Sequence, residues 1–249
     1  MKHTHFSLIV TCYNVEKYVG DCLKLIYHQA YSPEFFEVFC IDDGSTDRTL
    51  QIIQSYKTKL KNLTIVSTEN EGLEKACNRG VRMAHFERIM RVDADDLLDV
   101  NILSAMDNAI RLLPNHDFYY CQKYWEYCSE DKQRFCQLPE FNVEEIFSRG
   151  DFFATGTVYK KIDLVEIGLF PEDVKNCGLE NYAVVLALLR KKKIGKPVSD
   201  ASFKYRRHQT NMSLLKRHQI IDYGKKLLAS FGRSFQTNEF HPYQLKLSD

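Results

Sequence analysis

The chain has 249 residues, enough to bury a sizeable core in one large domain. It carries 34 lysines and arginines against 33 aspartates and glutamates, so no overall positive field favours nucleic acid. Its eight cysteines form no C-x-x-C pair, and several lie in apolar runs, which argues for reduced core residues and against a zinc ribbon. An apolar strand begins within a few residues of the start, and no apolar run approaches the ~20 residues of a membrane span. We therefore expect no signal peptide and a cytoplasmic protein.

Strand-like and helix-like segments alternate through the first half of the chain. The apolar, β-branched segment FSLIVTC predicts a first strand, and residues 15–29 carry apolar side chains at helical spacing. FEVFCIDD, LTIVST and RIMRVD predict three more strands with helices between them. Apolar strands separated by helices are typical of a parallel sheet covered on both faces, so we predict an α/β fold. The polar clusters TCYN, DDGSTD and DADD end three of these strands, where ligands of such sheets bind.

The second half of the chain is less regular. DFYYCQKYWEY and FATGTVYKK predict strands, GLENYAVVLALLRKKK predicts a helix with a basic end, and ASFKYRRHQTNMS predicts a strand entering a polar loop. A final amphipathic helix is predicted over 214–231. The sequence contains no repeat or low-complexity linker, so we predict a single domain over 1–232 and a C-terminal tail over 233–249.

Three aspartates, Asp93, Asp95 and Asp96, directly follow the RIMRV run. A polar turn is the simple interpretation, because aspartate suits turns and helix N-caps. Crowded carboxylates, however, raise one another's pKa unless a cation or hydrogen-bond donors intervene. Hard ions such as Mg²⁺ bind through one or two carboxylates together with substrate phosphates. The spacing alone leaves the polar turn and the metal site equally open.

The segment CIDDGSTDRT allows two interpretations as well. Gly44 tolerates backbone angles that other residues avoid, and Ser45, Thr46 and Asp47 suit the start of a helix. The segment is therefore either a well-capped turn between a strand and a helix or part of a ligand site at the strand end.

In order and spacing, LIVTCYN, EVFCIDDGSTDRT, NEGLEKACNRG and RVDADD closely resemble the family 2 glycosyltransferases. The likeness is strong over about residues 6–100 and looser through GTVYKK, GLENY and YRRHQTNMS. It implies a GT-A fold, a mostly parallel Rossmann-like sheet flanked by helices. The nucleotide-sugar-binding half would occupy 1–100 and the acceptor-binding half 101–232. The implied chemistry is inverting transfer from a nucleotide sugar, a UDP-sugar being the expected donor, with Mn²⁺ or Mg²⁺ as cofactor.

The resemblance also implies the donor contacts. Asp43 matches the family aspartate that accepts the uracil N–H, and Thr11 and Tyr13 match positions that contact the base. Cys77 stands where the family often has arginine, which implies that a cation is missing there. The full set implied for donor binding is Thr11, Tyr13, Asn14, Asp43, Gly72, Asn78, Asp93, Arg206 and Arg207.

The same likeness implies the metal ligands. The DAD run matches the family's Asp-x-Asp motif, with Asp95 as the leading ligand and Asp93 holding sugar hydroxyls and the water shell of the metal. In YRRHQTNMS, His208 would bind metal or diphosphate, while Arg206 and Arg207 would neutralise phosphate through their guanidinium groups. A basic surface strand is the alternative interpretation of this last segment.

Inverting transfer needs a base that takes the proton of the acceptor hydroxyl. GLENYAV aligns Glu180 and Asn181 with the family's Glu-Asp pair, whose aspartate is commonly assigned that role. An asparagine side chain is no carboxylate base, so Glu180 is the candidate. An acid placed at a helix N-terminus for its favourable interaction with the helix dipole is the alternative.

The motif of processive family members, Gln-x-x-Arg-Trp, is missing, because the one tryptophan, Trp125, lies in QKYWEYCSE. We therefore expect transfer of a single sugar. The implied acceptor is a saccharide or lipid-linked saccharide of surface glycan synthesis, with peripheral contact at the inner face of a membrane and no nucleic acid partner. A nucleotide-sugar-binding paralogue without turnover is the alternative, suggested by Asn181 and Cys77. An NAD-dependent oxidoreductase is disfavoured, because no G-x-G-x-x-G follows the first strand.

Overall fold

The computed structural model describes residues 3–129, 132–149 and 155–234. Its strands are β1 (Phe6–Cys12), β2 (Phe36–Asp42), β3 (Leu63–Ser67), β4 (Arg88–Asp93), β5 (Leu97–Leu98), β6 (Phe118–Ser129), β7 (Lys132–Gln137), β8 (Val158–Lys160) and β9 (Gly195–Arg206). Its helices are α1 (Val19–Tyr27), α2 (Thr49–Ser55), α3 (Leu73–Met83), α4 (Ile102–Leu112), α5 (Val143–Arg149), α6 (Lys161–Glu166), α7 (Glu180–Arg190), α8 (Met212–Leu215) and α9 (Arg217–Ala229). The four strands and intervening helices predicted for the first half are confirmed.

The strands form one sheet in the order β3-β2-β1-β4-β8-β6-β9-β5, with β7 paired to β6. β1 lies parallel to both β2 and β4, and β2 lies parallel to β3. β8 runs antiparallel to β4 and β6, and β6 runs parallel to β9. Every residue of β1 is buried, as expected for a strand covered on both faces. The parallel part thus brings the carboxyl ends of β1, β2 and β4 to one edge.

A single hydrophobic core continues from the first half of the chain into the second. β6 carries its first residues fully into this core, and Phe118 pairs with Tyr159 of β8 and with Gly195 of β9. Gly195 permits a close approach, since a Cβ there would lie 2.4 Å from the Phe118 ring. None of the helices among the described residues combines the length and apolar character that a membrane crossing requires.

Three details of the second half differ from the prediction. The helix predicted over 214–231 is split into α8 and α9, because Lys216 leaves the helical region with φ −112° and ψ 24°. The strand predicted in FATGTVYKK is confined to β8, since Gly156 adopts a φ of +84°, which an extended strand does not allow. Residues 153–154 of that segment, and the predicted tail from 235 onward, lie outside the described residues.

Candidate active site

A cleft of about 400 Å³ opens at the edge where β1, β2 and β4 end, and we call it the main cleft. The predicted clusters TCYN, DDGSTD and DADD all contribute to its lining. The second half of the chain supplies the opposite wall. The lining comprises Thr11, Cys12, Tyr13, Asn14, Val15, Asp43, Asn70, Leu73, Ala76, Asp93, Ala94, Asp95, Asn176, His208, Thr210, Met212, Leu215 and Lys216.

Asn14 joins the loop after β1 to the loop after β2. Its Oδ1 accepts a hydrogen bond from the Thr46 backbone N–H at 2.8 Å, and its own N–H donates to Ser45 Oγ at 3.0 Å. Gly44 lies in the turn just before Ser45 and has a φ of +74°. A Cβ added to Gly44 would lie only 2.7 Å from the Asn70 backbone nitrogen. The role of Gly44 is therefore steric, as predicted, while Asn14 lies at the cleft and shapes its rim.

Asp43 is 4% exposed and fixes the loop that leads into α3. Its two carboxylate oxygens accept the backbone N–H groups of Glu71 at 2.8 Å and Gly72 at 2.9 Å. Each carboxylate oxygen has a second lone pair, so Asp43 retains acceptor capacity towards a ligand. Gly72 takes part through its backbone, at φ +107°, as the residue that immediately precedes α3.

Thr11 and Tyr13 offer the main cleft a hydroxyl and a ring. Thr11 is 8% exposed, and its Oγ1 has no hydrogen-bond partner among the described residues. Tyr13 leaves half of its surface exposed at the cleft. A free hydroxyl beside an accessible aromatic face suits a planar, hydrogen-bonding ring such as a nucleobase.

The three aspartates after β4 have different partners. Asp93 Oδ1 accepts from Arg91 at 2.6 Å, and Asp93 Oδ2 accepts from the same guanidinium at 3.1 Å. Asp96 is fully buried and accepts hydrogen bonds from the Thr155 hydroxyl at 2.6 Å and the Arg206 N–H at 3.0 Å. Burial, followed by the nearby charges of Asp95 and Asp93, raises the pKa of Asp96. Asp95 is therefore the aspartate best placed to ligate a cation, and Asp93 is a weaker metal candidate.

Asp95 meets His208 across the main cleft, with Oδ2 and Nε2 2.9 Å apart. The Asn211 amide holds the backbone around His208, because its Oδ1 accepts from the His208 backbone N–H and its Nδ2 donates to the Arg206 carbonyl. That same Nδ2 lies 3.2 Å from Nε2, while Thr210 Oγ1 lies 2.8 Å from Nδ1. Nε2 thus faces a carboxylate oxygen of Asp95, and the imidazole tautomer decides whether it donates a hydrogen bond to that oxygen.

A carboxylate oxygen and an imidazole nitrogen at this distance share either a proton or a cation. Adjacent ligands on a six-coordinate Mg²⁺, with bonds of about 2.1 Å, lie about 3 Å apart, which agrees with the separation of Asp95 Oδ2 and His208 Nε2. Carboxylate and imidazole groups are both established ligands of divalent metals. The residues present therefore fit a divalent cation.

A smaller pocket of about 110 Å³, which we call the side pocket, adjoins the main cleft and shares Leu73, Asp93, Asp95 and Met212 with it. Glu180, the first residue of α7, lines it and is 5% exposed. The remaining lining residues are Arg91, Gly178, Asn181, Tyr205, Asn211 and Ser213.

One carboxylate oxygen of Glu180 pairs with Arg91, and the other has no hydrogen-bond partner among the described residues. Its Oε1 lies 3.0 Å from the Arg91 guanidinium, and its Oε2 has no partner among the described residues. Burial raises the pKa of Glu180 to about 6, against the opposing effect of Arg91. Asn181 Oδ1 is likewise buried without a partner in the described part of the chain. The side pocket thus holds a weakly acidic carboxylate with a free oxygen beside a free amide oxygen.

The loop before α7 is held in place by Glu74 of α3. The Glu74 carboxylate accepts the N–H groups of Asn176 at 2.8 Å and Cys177 at 2.7 Å. Ligand atoms of Glu74, Cys177 and Glu180 lie within 4.8 Å of one another. Because the Glu74 oxygens already accept these backbone groups, we interpret the cluster as a structural anchor that positions Glu180.

Three of the predicted donor-binding residues have other roles. Asn78 is 1% exposed and bonds to the Phe170 backbone and to Glu172, so it ties α3 to the 170 segment instead of facing the nucleotide. Arg206 donates to the Asp95 carbonyl at 2.9 Å and to Asp21 at 2.9 Å.

Arg207 pairs with Glu126 and lies over the Tyr205 ring. Neither Arg206 nor Arg207 belongs to the described lining of the main cleft, because their guanidinium groups are committed elsewhere. Sequence reasoning missed Lys216, which lies in that lining and follows no motif. It also missed Arg91, although a charged residue inside an apolar strand was a visible signal. Position 77 itself carries no cation, but the Arg91 guanidinium of β4 lies close enough to affect the pKa of the Cys77 thiol.

Solved structures of the GT-A fold share this architecture. TarS 1–349 of Staphylococcus aureus, in complex with UDP-GlcNAc, superposes with a TM-score of 0.72 at 21% identity over 93% of this chain and 67% of that chain. The mannosyltransferase PcManGT from Pyrobaculum calidifontis, in complex with GDP-Man and Mn²⁺, gives 0.71 at 19% identity over 98% and 69%. The predicted GT-A fold is thus confirmed.

The chain belongs to glycosyl transferase family 2, whose family model matches residues 7–159. The poly(ribitol-phosphate) β-N-acetylglucosaminyltransferase TarS of Staphylococcus aureus is 39% identical over 100 residues, which cover 39% of this chain and 17% of TarS. The minor teichoic acid biosynthesis protein GgaA of Bacillus subtilis is 27% identical over 239 residues, covering 85% of this chain and 49% of GgaA. The chain therefore spans only part of the length of these relatives.

Proposed function

We propose that this chain transfers one sugar, with inversion, from a UDP-sugar to a hydroxyl of a saccharide or lipid-linked saccharide acceptor of surface glycan synthesis. The observation that carries the proposal is that the main cleft and the side pocket adjoin each other and share lining residues. The main cleft joins base-binding groups to Asp95 and His208, and the side pocket adds a carboxylate with a free oxygen.

The donor would lie along the main cleft. Thr11, Tyr13 and Asp43 would hold the base, with Asp43 accepting the uracil N–H. Asp93 would accept hydroxyls of the ribose or the sugar, because its oxygens lie at the junction of the two pockets. UDP-GlcNAc in the TarS complex supports a UDP-sugar, and we extend that choice to this chain.

Asp95 and His208 would hold a divalent cation, Mn²⁺ or Mg²⁺, and Mn²⁺ in the PcManGT complex supports this assignment. When bound, the cation neutralises charge on the diphosphate leaving group. Lys216, in the lining of the main cleft, would add a second positive charge near the phosphates.

Glu180 would act as the base. Its Oε2 would take the proton of the acceptor hydroxyl while that oxygen attacks the anomeric carbon and the bond to the diphosphate breaks, its electron pair leaving with UDP. Asn181 Oδ1 would accept a hydrogen bond from a neighbouring hydroxyl. A base with a pKa of about 6 is largely ionised at neutral pH, as this role requires. On this assignment, residues 1–100 supply most of the donor site. Residues 101–232 complete the same domain, add His208 and Lys216 to the donor site and bind the acceptor.

A nucleotide-sugar-binding protein without turnover is the second candidate, favoured by Asn181 at the position of the family's usual base. Incubation with UDP-sugars, Mn²⁺ and saccharide acceptors separates the two. We expect free UDP and a product heavier by one sugar, detected by mass spectrometry. Binding of UDP-sugars by calorimetry, with neither UDP release nor product, would favour the second candidate. Binding of neither UDP nor UDP-sugars would contradict both.

A further inference from the structure

Arg91 is a charged residue inside the central sheet. It lies on β4 and is 3% exposed. Taking a guanidinium out of water is costly unless carboxylates and hydrogen bonds compensate for it. Asp93 and Glu180 provide this compensation, and although burial opposes the charge, they raise the pKa of Arg91. Arg91 is therefore a permanent cation beneath the junction of the main cleft and the side pocket.

The contacts of Arg91 join two distant parts of the chain. Two of its nitrogens reach the two Asp93 oxygens at 2.6 and 3.1 Å, and the nearer nitrogen also reaches Glu180 Oε1 at 3.0 Å. A fork of this kind fixes direction as well as charge. Arg91 holds Oε1 of Glu180, so the oxygen without a partner in the described part of the chain is Oε2. Glu180 itself lines the side pocket.

Cys77 of α3 lies close enough to this guanidinium for the two groups to affect each other's pKa. The thiol is 1% exposed, and burial raises its pKa to about 12, so it adds no charge to the group. A short neutral side chain at position 77 leaves room for the longer one that comes from the strand. The charges of Glu180 and Asp93 also act on the Cys77 thiol, so a cation placed at position 77 would lie near the same two carboxylates.

We propose that Arg91 is a positioning residue that clamps Glu180 to Asp93, so that the free oxygen of Glu180 faces the acceptor hydroxyl while the donor is bound beside it. The proposal rests on the proposed function. It assigns to Arg91 no contact with either substrate. Its effect on turnover therefore passes through Glu180.

The test compares Arg91→Met in two backgrounds, wild type and Glu180→Gln, with transfer of a confirmed UDP-sugar measured at saturating donor. Misplacing a catalytic group by about 1 Å costs up to ~10²-fold in rate, so we expect Arg91→Met to lower kcat roughly 10–10²-fold in wild type. In the Glu180→Gln background, the same change should lower kcat by less than about threefold, because residues that act as a unit are not additive. Equal losses in both backgrounds would overturn the proposal.

Relocation of the cation gives a second readout. In Cys77→Arg/Arg91→Met, the guanidinium comes from α3, and we expect kcat to recover at least about fivefold over Arg91→Met. No recovery in a folded double variant would contradict the proposal. If Arg91→Met fails to fold, Arg91→Lys takes its place in both backgrounds, since lysine keeps the charge but loses the fork, and the same pattern is required.

Arg88→Met is the matched control. Arg88 lies on the same strand, three residues earlier and about 10 Å away along it, with its guanidinium 5.8 Å from the centre of the Tyr119 ring. It should leave kcat within about twofold, and an equal loss here would assign the Arg91 effect to strand stability. If the wild-type chain turns over no donor, the proposed function fails. If the wild type is active but Arg91→Met lowers kcat equally in the wild-type and Glu180→Gln backgrounds, only the proposed role of Arg91 fails.

Discussion

Glu180→Gln separates a catalytic role of this residue from a structural one. The amide has nearly the same shape, and its oxygen still accepts from Arg91, which lies 3.0 Å from Oε1 in the wild type. Its NH₂ group replaces Oε2 and has no basic lone pair. We therefore expect UDP and Mn²⁺ affinities within about threefold of wild type and a turnover lower by roughly 10²–10⁴-fold, the usual contribution of a positioned general base.

The pH dependence provides a second measure of the same variant. Only the ionised carboxylate accepts a proton, and burial raises the pKa of Glu180 to about 6. The rate should rise about tenfold per pH unit up to pH 6 and level off above about pH 7. Glu180→Gln should lack this limb of the profile.

The change in the free energy of unfolding of Glu180→Gln has a different sign for a buried catalytic acid and for an acid that only stabilises the helix N-terminus. For an acid whose pKa rises on folding from 4.5 to about 6, the free energy of unfolding falls as pH rises through this interval, by about 2 kcal/mol. At pH 8, loss of the buried negative charge should therefore stabilise Glu180→Gln by up to about 2 kcal/mol, less the cost of leaving the buried Arg91 guanidinium with Asp93 as its remaining carboxylate. An acid kept for the helix dipole predicts the opposite, a loss of up to ~1 kcal/mol with turnover nearly intact.

Steady-state rates between pH 5 and 9, with urea denaturation at pH 8, test all three expectations. Asn181→Asp is the complementary variant, since it restores a carboxylate beside Glu180 at the start of α7. Turnover of Glu180→Gln within threefold of wild type, with an unchanged pH profile, would refute the reasoning. Faster turnover in Asn181→Asp would show that the neighbouring position is the more effective base.

Three further variants test the main cleft. Asp95→Ala should abolish the increase in UDP affinity on adding Mn²⁺ in calorimetry, and an unchanged response would exclude Asp95 as a ligand. Asp43→Asn should lower the affinity for UDP by roughly 1.5–3 kcal/mol and also lower the melting temperature, because an amide NH₂ would face one of the two N–H groups that Asp43 accepts. Equal binding of UDP and GDP by the wild type would contradict uracil selection by Asp43. Gly44→Ala should cost about 1–3 kcal/mol in urea denaturation, since φ is +74° and the new Cβ would lie 2.7 Å from the Asn70 nitrogen, and an unchanged midpoint would be inconsistent with that turn.

The first half of the chain was predictable because its signals are local. β1 and β2 are mostly apolar and buried, and the glycine and aspartates of CIDDGSTDRT have the backbone and hydrogen-bonding preferences that their turn requires. The second half was less predictable, because Gly156 ends one predicted strand and Lys216 divides one predicted helix without any marked pattern. The partners of Asn78 and Arg206 were not predicted, because a motif gives the position of a residue, whereas its partners come from distant segments.

The sequence by itself determined the α/β architecture, the edge at which the polar clusters meet and the family resemblance, since periodicity and strand ends are properties of neighbouring residues. Only the tertiary structure decided how the charges are shared. Arg91 pairs with Asp93 and Glu180, Asp96 is buried among donors, and Asp95 is left facing His208. These pairings join residues that are up to 113 positions apart. The strength of a charge interaction depends on distance and burial in space, which separation along the chain does not encode.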